Sequence, residues 1–236
     1  MPDDPARSAP AALVTCVGLA RTFGEGVSAV VAVHGVTCSV CPGDQIALSG
    51  PSGSGKSTLL HLMAGLEVPT SGSLSWPALG GHPLAHPGRI GVVFQGPSLL
   101  PALDVTENVS LPLLLSDTPE ADAARSSLKA LQRLDIADLA RKLPEELSGG
   151  QAQRVAVARV LAARPKLILA DEPTGQLDHH AASLVMDVLL QASAELGAAL
   201  VVSTHDPLVA DRLPERWTMR DGRMTTTSAD SAGGQR

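Results

Sequence analysis

The residues Gly50-Pro51-Ser52-Gly53-Ser54-Gly55-Lys56-Ser57-Thr58 have the spacing G-x-x-x-x-G-K-[ST]. They lie between an apolar run, Gln45-Ile46-Ala47-Leu48, and the stretch Leu59-Leu60-His61-Leu62-Met63-Ala64. This order reads as strand, loop, helix, the setting in which such a spacing cradles phosphate. Gly50, Gly53 and Gly55 let the backbone wrap until successive amide N–H groups point inward, and the helix that follows adds the positive end of its dipole. A polyphosphate is the guest this loop suits. Lys56 would reach its β- and γ-phosphates, and the Ser57 hydroxyl would complete the shell of a bridging Mg²⁺.

Other residues read as parts placed around that phosphate. Lys166-Leu167-Ile168-Leu169-Ala170-Asp171-Glu172 is an apolar strand ending in two carboxylates, at the edge where open α/β sheets bind ligands. Asp171 would hold Mg²⁺ through its water shell, and Glu172 would act as general base on the attacking water. A second apolar strand, Ala198 to Ser203, ends in Thr204-His205-Asp206. That puts His205 beside Glu172, able to bond the γ-phosphate and position the water. Gln95 closes the run Arg89-Ile90-Gly91-Val92-Val93-Phe94 before a Gly-Pro break; there it could reach the metal or its water, although alone it is an ordinary strand-end polar residue. In Leu147-Ser148-Gly149-Gly150-Gln151 two glycines expose N–H groups at the start of a helix expected over Gln151 to Ala163, a second anion-binding helix start. Phe23 falls in the Gly-rich turn Arg21-Thr22-Phe23-Gly24-Glu25-Gly26, where an adenine ring could stack on it; the competing reading is a core-filling side chain.

The elements that must position these groups follow from composition and pattern. A chain of 236 residues with 44% hydrophobic but only 2% aromatic residues and no Tyr packs an aliphatic core of Leu, Val and Ala. Net charge −6 argues against a surface devoted to nucleic acid, and no apolar run reaches the ~20 residues needed to cross a bilayer. The polar, Pro-rich start is unlike a signal peptide, so the expected location is cytoplasmic. Three cysteines make no disulfide framework; Cys38 and Cys41 read as small strand residues on opposite faces, ahead of the turn Pro42-Gly43-Asp44.

Leu13 to Val17, Ser28 to Val33, Val36 to Cys41 and Gln45 to Leu48 read as strands of an antiparallel sheet feeding the phosphate loop. Glu67 to Pro87 reads as turns with short strands. From Pro97 to Leu147 the pattern is helical: Asp117-Thr118-Pro119-Glu120 caps a helix whose face is marked by Leu128, Leu131 and Leu134.

The order of phosphate loop, Gln95, Leu147 to Gln151, Asp171-Glu172, Gly175-Gln176-Leu177-Asp178 and His205 resembles the ATP-binding cassette (ABC) ATPase family. The resemblance spans about residues 13 to 224. Gly65-Leu66-Glu67-Val68-Pro69-Thr70-Ser71-Gly72, Glu107-Asn108-Val109 and Leu169-Ala170-Asp171-Glu172-Pro173-Thr174-Gly175 are similar to the group that includes lipoprotein-release, macrolide-export and cell-division ATPases. The resemblance implies an α/β fold: a P-loop NTPase (RecA-like) core with an antiparallel β-subdomain and an α-helical subdomain inserted at about residues 97 to 150. Residues 1 to 12 and 225 to 236 would be disordered tails.

It further implies head-to-tail pairing, with itself or with a second ABC ATPase, in which Lys56 and Ser57 of one subunit face Ser148 and Gly150 of the other across ATP. Binding would span Phe23, Gly50 to Thr58 and Ser148 to Gln151; Glu172, His205 and Gln95 would be catalytic; Ser57, Gln95 and Asp171 would serve Mg²⁺. An integral membrane permease would contact the region about 95 to 115, holding the cassette at the inner face of the membrane and serving an exporter or extractor. Gln176 stands where this group usually has Asn, and the stretch from Gly72 to Arg89 is shorter than in relatives, implying a trimmed β-subdomain edge. A soluble ABC ATPase of translation or DNA repair is the alternative, disfavoured by a single cassette without a coiled-coil insertion; a P-loop kinase has no use for Leu147 to Gln151.

Overall fold

The computed structural model describes residues 11–228, so of the tails expected at 1–12 and 225–236 the parts 1–10 and 229–236 lie outside the described residues. Two sheets organise the chain. Strand β1 (Val14–Phe23) pairs antiparallel with β2 (Val30–Val40) on one side. On the other it pairs with β4 (Ser71–Ser75), giving the order β2-β1-β4. The expected run Leu13 to Val17 extends to Phe23 as β1, and the runs Ser28 to Val33 and Val36 to Cys41 fuse into β2. Gly18 (φ 57°) and Gly35 (φ 68°) sit in the left-handed region where the register shifts, which lets a bulged strand continue instead of ending.

β3 (Gln45–Ser49) does not extend this sheet, contrary to expectation. It lies in a six-stranded sheet with β5 (Ile90–Val93), β6 (Leu167–Asp171), β7 (Ala199–Thr204), β8 (Glu215–Arg220) and β9 (Arg223–Ser228). The order is β5-β6-β7-β3-β8-β9, with β3 parallel to both β7 and β8. A continuous apolar run suits a strand covered on both faces, as parallel strands are. Residues 225–228, expected to be part of a disordered tail, belong to β9, paired antiparallel with β8 from Arg220↔Arg223 to Glu215↔Ser228. Between β4 and β5 the chain makes two 3-10 turns, Pro77–Leu79 and Pro83–Ala85. Trp76 Nε1 donates to the Met63 carbonyl at 2.8 Å, fastening this segment to the end of the phosphate-loop helix.

That helix is α1 (Lys56–Met63), followed by α2 (Val105–Leu114), α3 (Glu120–Arg133), α4 (Gly149–Ala162), α5 (His179–Leu196) and the one-turn α6 (Pro207–Ala210). α3 starts after Pro119 without a side-chain cap, and Leu128 is exposed. Its buried face is Ala123, Ser127, Ala130 and Leu131, so the leucine spacing misplaced the inward face by one position at its start. Strand parity divides the core in two. Ile168 and Ala170 of β6, with Leu200 and Val202 of β7, face the cluster built with α2, α3, α4 and α5. Leu167, Leu169, Ala199 and Val201 face the cluster shared with α1, β1 and β2. The six-stranded sheet is thus the wall between the two clusters, and its C-terminal edge carries the chemistry.

Candidate functional site

The loop from Gly50 to Gly55 joins β3 to α1 in backbone conformations that side chains resist. Gly50 has φ 151°, and a Cβ there would lie 2.2 Å from the Met219 carbonyl oxygen of β8. Gly55, the residue capping α1, has φ 100°, and its Cβ would lie 2.0 Å from the Ala32 carbonyl oxygen of β2. The glycines are required because both sheets press on the loop. Lys56 is 5% exposed, and its Nζ donates to the carbonyls of Gly50 (2.9 Å) and Pro51 (3.1 Å). The ammonium is therefore held over the phosphate loop.

Around it opens a cavity of about 410 Å³ lined by Val30, Val31, Ala32, Ser52, Gly53, Gly55, Lys56, Ser57, Thr58, Gln95, Glu172 and His205. Five segments distant in sequence meet here. Lys56 Nζ lies 3.9 Å from Glu172 Oε1, and His205 Nδ1 lies 3.2 Å from the same oxygen. Glu172 is a non-glycine residue at φ 45°. Such backbone costs about 1 kcal/mol and must be held by its surroundings.

Ser203, completely buried on β7, does the holding. Its hydroxyl donates to Asp171 Oδ1 at 2.5 Å and accepts from the Glu172 N–H at 3.1 Å, and its carbonyl accepts from that same N–H at 3.1 Å. Sequence reasoning missed Ser203. The signal was a hydroxyl two residues before His205 in a strand otherwise apolar.

Not every expected residue reaches this cavity. Gly50, Pro51, Ser54 and Asp171 shape or flank it without lining it. Phe23 is the last residue of β1, paired with Val30, rather than a turn residue, and it does not line the cavity. The Arg21 guanidinium lies 4.5 Å from its ring centroid, occupying one face, and is itself paired with Glu67 at 2.8 Å. Val30 and Val31, exposed and on the cavity wall, form its apolar side.

Ser148, Gly149, Gly150 and Gln151 are also absent from the cavity. Ser148 caps α4: its Oγ accepts from the Gln151 N–H at 3.2 Å, and Gln151 Oε1 accepts from the Ser148 N–H at 2.9 Å. The helix starts at Gly149, two residues before the expected Gln151. Gln176 and Leu177 lie against this turn: Cβ atoms added to Gly149 and Gly150 would stand 3.9 Å from Gln176 Oε1 and 3.3 Å from Leu177 Cδ2.

Further along α4, buried Gln153 donates to the Phe94 carbonyl at 3.2 Å. Arg159, whose guanidinium pKa burial pushes down, donates to the Ser98 carbonyl at 2.9 Å. The helix that begins at Ser148 thus grips the backbone on both sides of Gln95. Buried Asn108 fastens the loop beyond, accepting from the Leu100 N–H at 2.8 Å and donating to the Leu103 carbonyl at 2.9 Å.

The cysteines take no part. Cys16 and Cys38 are cross-strand neighbours, and the Cys16 thiol beside it together with burial pushes the Cys38 thiol far up from its usual range. Among the described residues no group of three His, Cys, Asp or Glu could hold a metal. Ser57, Gln95 and Asp171 instead offer oxygen donors of the kind a hard cation shares with substrate phosphates. Asp171 Oδ1 is engaged by Ser203, which leaves Oδ2 for that task.

A sequence profile of the family described as ABC transporter matches residues 33–175. The lipoprotein-releasing system ATP-binding protein LolD of Legionella pneumophila (strain Paris) is 38% identical over 219 residues, 90% of this chain and 96% of that protein. LolD of Pseudomonas fluorescens is 37% identical over 223 residues, 90% of this chain and 97% of that protein. Among solved structures, the dimeric post-hydrolysis state of the ATP-binding cassette MJ0796 bound to ADP and Pi superposes with TM-score 0.82 at 32% identity, covering 90% of this chain and 98% of that one. CbiO1 of Clostridium perfringens, part of the ABC transporter complex cbiONQ, gives TM-score 0.75 at 30% identity over 91% of this chain and 87% of that one.

Proposed function

This chain belongs to the ABC transporter family, and from that premise we propose that it is the ATP-hydrolysing subunit that drives a separate membrane permease of the exporter or extractor kind. The observation that carries this reading is the meeting of Lys56, Glu172 and His205 around one carboxylate oxygen in a cavity walled by the phosphate loop.

Lys56 leaves the Gly50 and Pro51 carbonyls for the β- and γ-phosphates of ATP, while the loop N–H groups and the α1 dipole take up the remaining charge. The adenine lies toward Val30 and Val31, with the free face of Phe23 beside them. Glu172 accepts the proton of the attacking water, and His205 orients it and bonds the γ-phosphate. A magnesium ion, when bound, neutralises developing charge on the phosphates; Ser57, Gln95 and Asp171 would hold it.

Ser148, Gly149, Gly150 and Gln151 lie outside the chain's own cavity, which supports a role for them in a second copy's site. In a head-to-tail pair the γ-phosphate would lie between two helix starts, so ATP favours the dimer and hydrolysis releases it. Because Gln153 and Arg159 tie α4 to the backbone around Gln95, closure at Ser148 is transmitted to residues 95–115, where the permease docks and holds the cassette at the membrane. Among the described residues no helix is long and apolar enough to cross a membrane. Similarity to LolD extends the proposal to extraction of a membrane-held substrate.

The test is size-exclusion chromatography of Glu172→Gln with and without ATP and Mg²⁺, beside phosphate release from the wild type. The expected result is an ATP-dependent dimer whose phosphate release is lowered by about 10²- to 10⁴-fold. A variant that binds ATP, stays monomeric and hydrolyses normally overturns the assignment of Glu172 and the paired engine with it.

A further inference from the structure

A second cavity, of about 230 Å³, lies between the C-terminal half of α3 and the end of α4. Ser126, Lys129 and Arg133 line one side, Leu161 and Arg164 the other. In a chain of net charge −6, three cations share one depression and no carboxylate lines it.

The partners of these cations do not account for them. Arg133 spends Nη1 on Glu195 of α5 at 3.1 Å, while its Nη2 is buried without an acceptor. A buried N–H left without a partner costs about 1–3 kcal/mol. Among the described residues neither Lys129 nor Arg164 has a carboxylate within 4.0 Å. Basic residues at helix C-termini ordinarily complement the dipole by bonding the last carbonyls. Here, among the described residues, the only side-chain bond of the three is that from Arg133 to Glu195. The floor of Ala130, Leu161 and Ala162 is apolar, and a low-dielectric floor beneath converging cations strengthens their field toward an anion.

We propose that this cavity binds a small polyanion, one presenting two or more anionic oxygens in the manner of a pyrophosphate or a phosphate ester. Arg133, Lys129 and Arg164 supply the charges that line the cavity, and Ser126 a hydroxyl. α4 has 14 residues, which at ~1.5 Å per residue puts this site ~21 Å along the helix from Ser148. No residue lines both this cavity and the ATP cavity, so the site is separate and does not rest on the hydrolytic reading above. A bound anion would bridge α3 to the connection between α4 and β6 and compete with Glu195 for Arg133.

The experiment is isothermal titration of the full chain with inorganic pyrophosphate and, separately, with 3-phosphoglycerate. Both titrations are made without nucleotide or divalent cations, and each is repeated on Lys56→Ala, so that binding at the phosphate loop is told apart from binding at the second cavity. Wild type should bind at least one probe saturably with Kd of about 1 mM or tighter. The double variant Lys129→Gln/Arg164→Gln should weaken binding about tenfold. Arg125→Gln, on the same helix but paired with Asp122 outside the cavity, should leave it unchanged. Lys129→Gln alone, at an exposed position, reads about a threefold loss should the double variant unfold. Tighter binding of pyrophosphate assigns the site to inorganic anions, and tighter binding of 3-phosphoglycerate to organic phosphates. No saturable binding to wild type, or equal losses in the Arg125 control, overturns the proposal.

Discussion

Two helix starts in this molecule are rich in glycine and resemble each other on paper, yet they are built by opposite means. At α1 the loop is forced: Gly50 and Gly55 take positive φ because the carbonyls of Met219 and Ala32 leave no room for a Cβ. The cavity is already assembled against this loop, with Glu172 and His205 in place. At α4 nothing is forced. Ser148 and Gln151 cap each other reciprocally, a Cβ on Gly149 would meet only Gln176 Oε1, at an easy 3.9 Å, and the turn does not line the cavity at the phosphate loop. The first site is preorganised within one chain, whereas the second is a finished helix end that stands outside that site. A motif's glycines therefore mean different things depending on whether surrounding backbone crowds them.

The sharpest way to break this comparison is a matched pair of glycine substitutions. Gly55→Ala should lower ATP affinity about 100-fold, because the clash and the φ of 100° together demand a rebuilt loop. Gly149→Ala should leave the monomer's ATP affinity unchanged and raise its stability by about 0.5–1 kcal/mol, alanine being the better helix residue; its loss should appear only in ATP-driven dimerisation. Nucleotide titration and gel filtration read both. Equal loss of monomer affinity in the two variants would remove the distinction.

Ser203→Ala tests the support beneath the preorganised site. Losing a hydrogen bond to a charged carboxylate costs about 1.5–3 kcal/mol, so kcat should fall about tenfold or more with KM for ATP little changed, and Ser203→Thr should restore much of it. A change in KM alone would assign Ser203 to binding instead.

At the other helix start, Ser148→Ala should cost about 1 kcal/mol of stability, seen as a melting temperature lowered by about 2–4 °C.

The smallest effect concerns Asp178, which caps α5. The Ala181 N–H holds its carboxyl below the usual carboxylate value. Since the folded pKa is depressed, the contribution is present above the unfolded value and is lost as pH falls through the folded one. Asp178→Asn should therefore flatten the acid limb of the stability curve while leaving stability at neutral pH nearly unchanged; an unaltered acid limb would remove the assignment.

What was legible in the residues was whatever is local. Gly50 to Thr58 specify a loop and a helix start by backbone geometry alone, and the apolar strand ending in Asp171-Glu172 announces its own edge. Phe23 was harder to place, because whether a Gly-rich stretch bends or carries a bulged strand depends on the pairing of β1 with β2. β3 was assigned to the wrong sheet for the same reason: an apolar run declares that it is buried but not beside which strand. The leucines of α3 misled because small residues, Ala123 and Ser127, face the core there.

The sequence by itself determined that this chain handles a polyphosphate and where its carboxylates and histidine stand along the strands, since those instructions lie in contiguous residues acting through their own backbone. Only the tertiary structure decided that Lys56, Gln95, Glu172 and His205 share one cavity, that Ser203 holds the Asp171 carboxylate and the Glu172 backbone, and that the turn at Ser148 stands apart. Those facts depend on strand order and on packing between segments more than 30 residues apart, and long-range packing is settled by which faces can be buried together, a property no single stretch of chain contains.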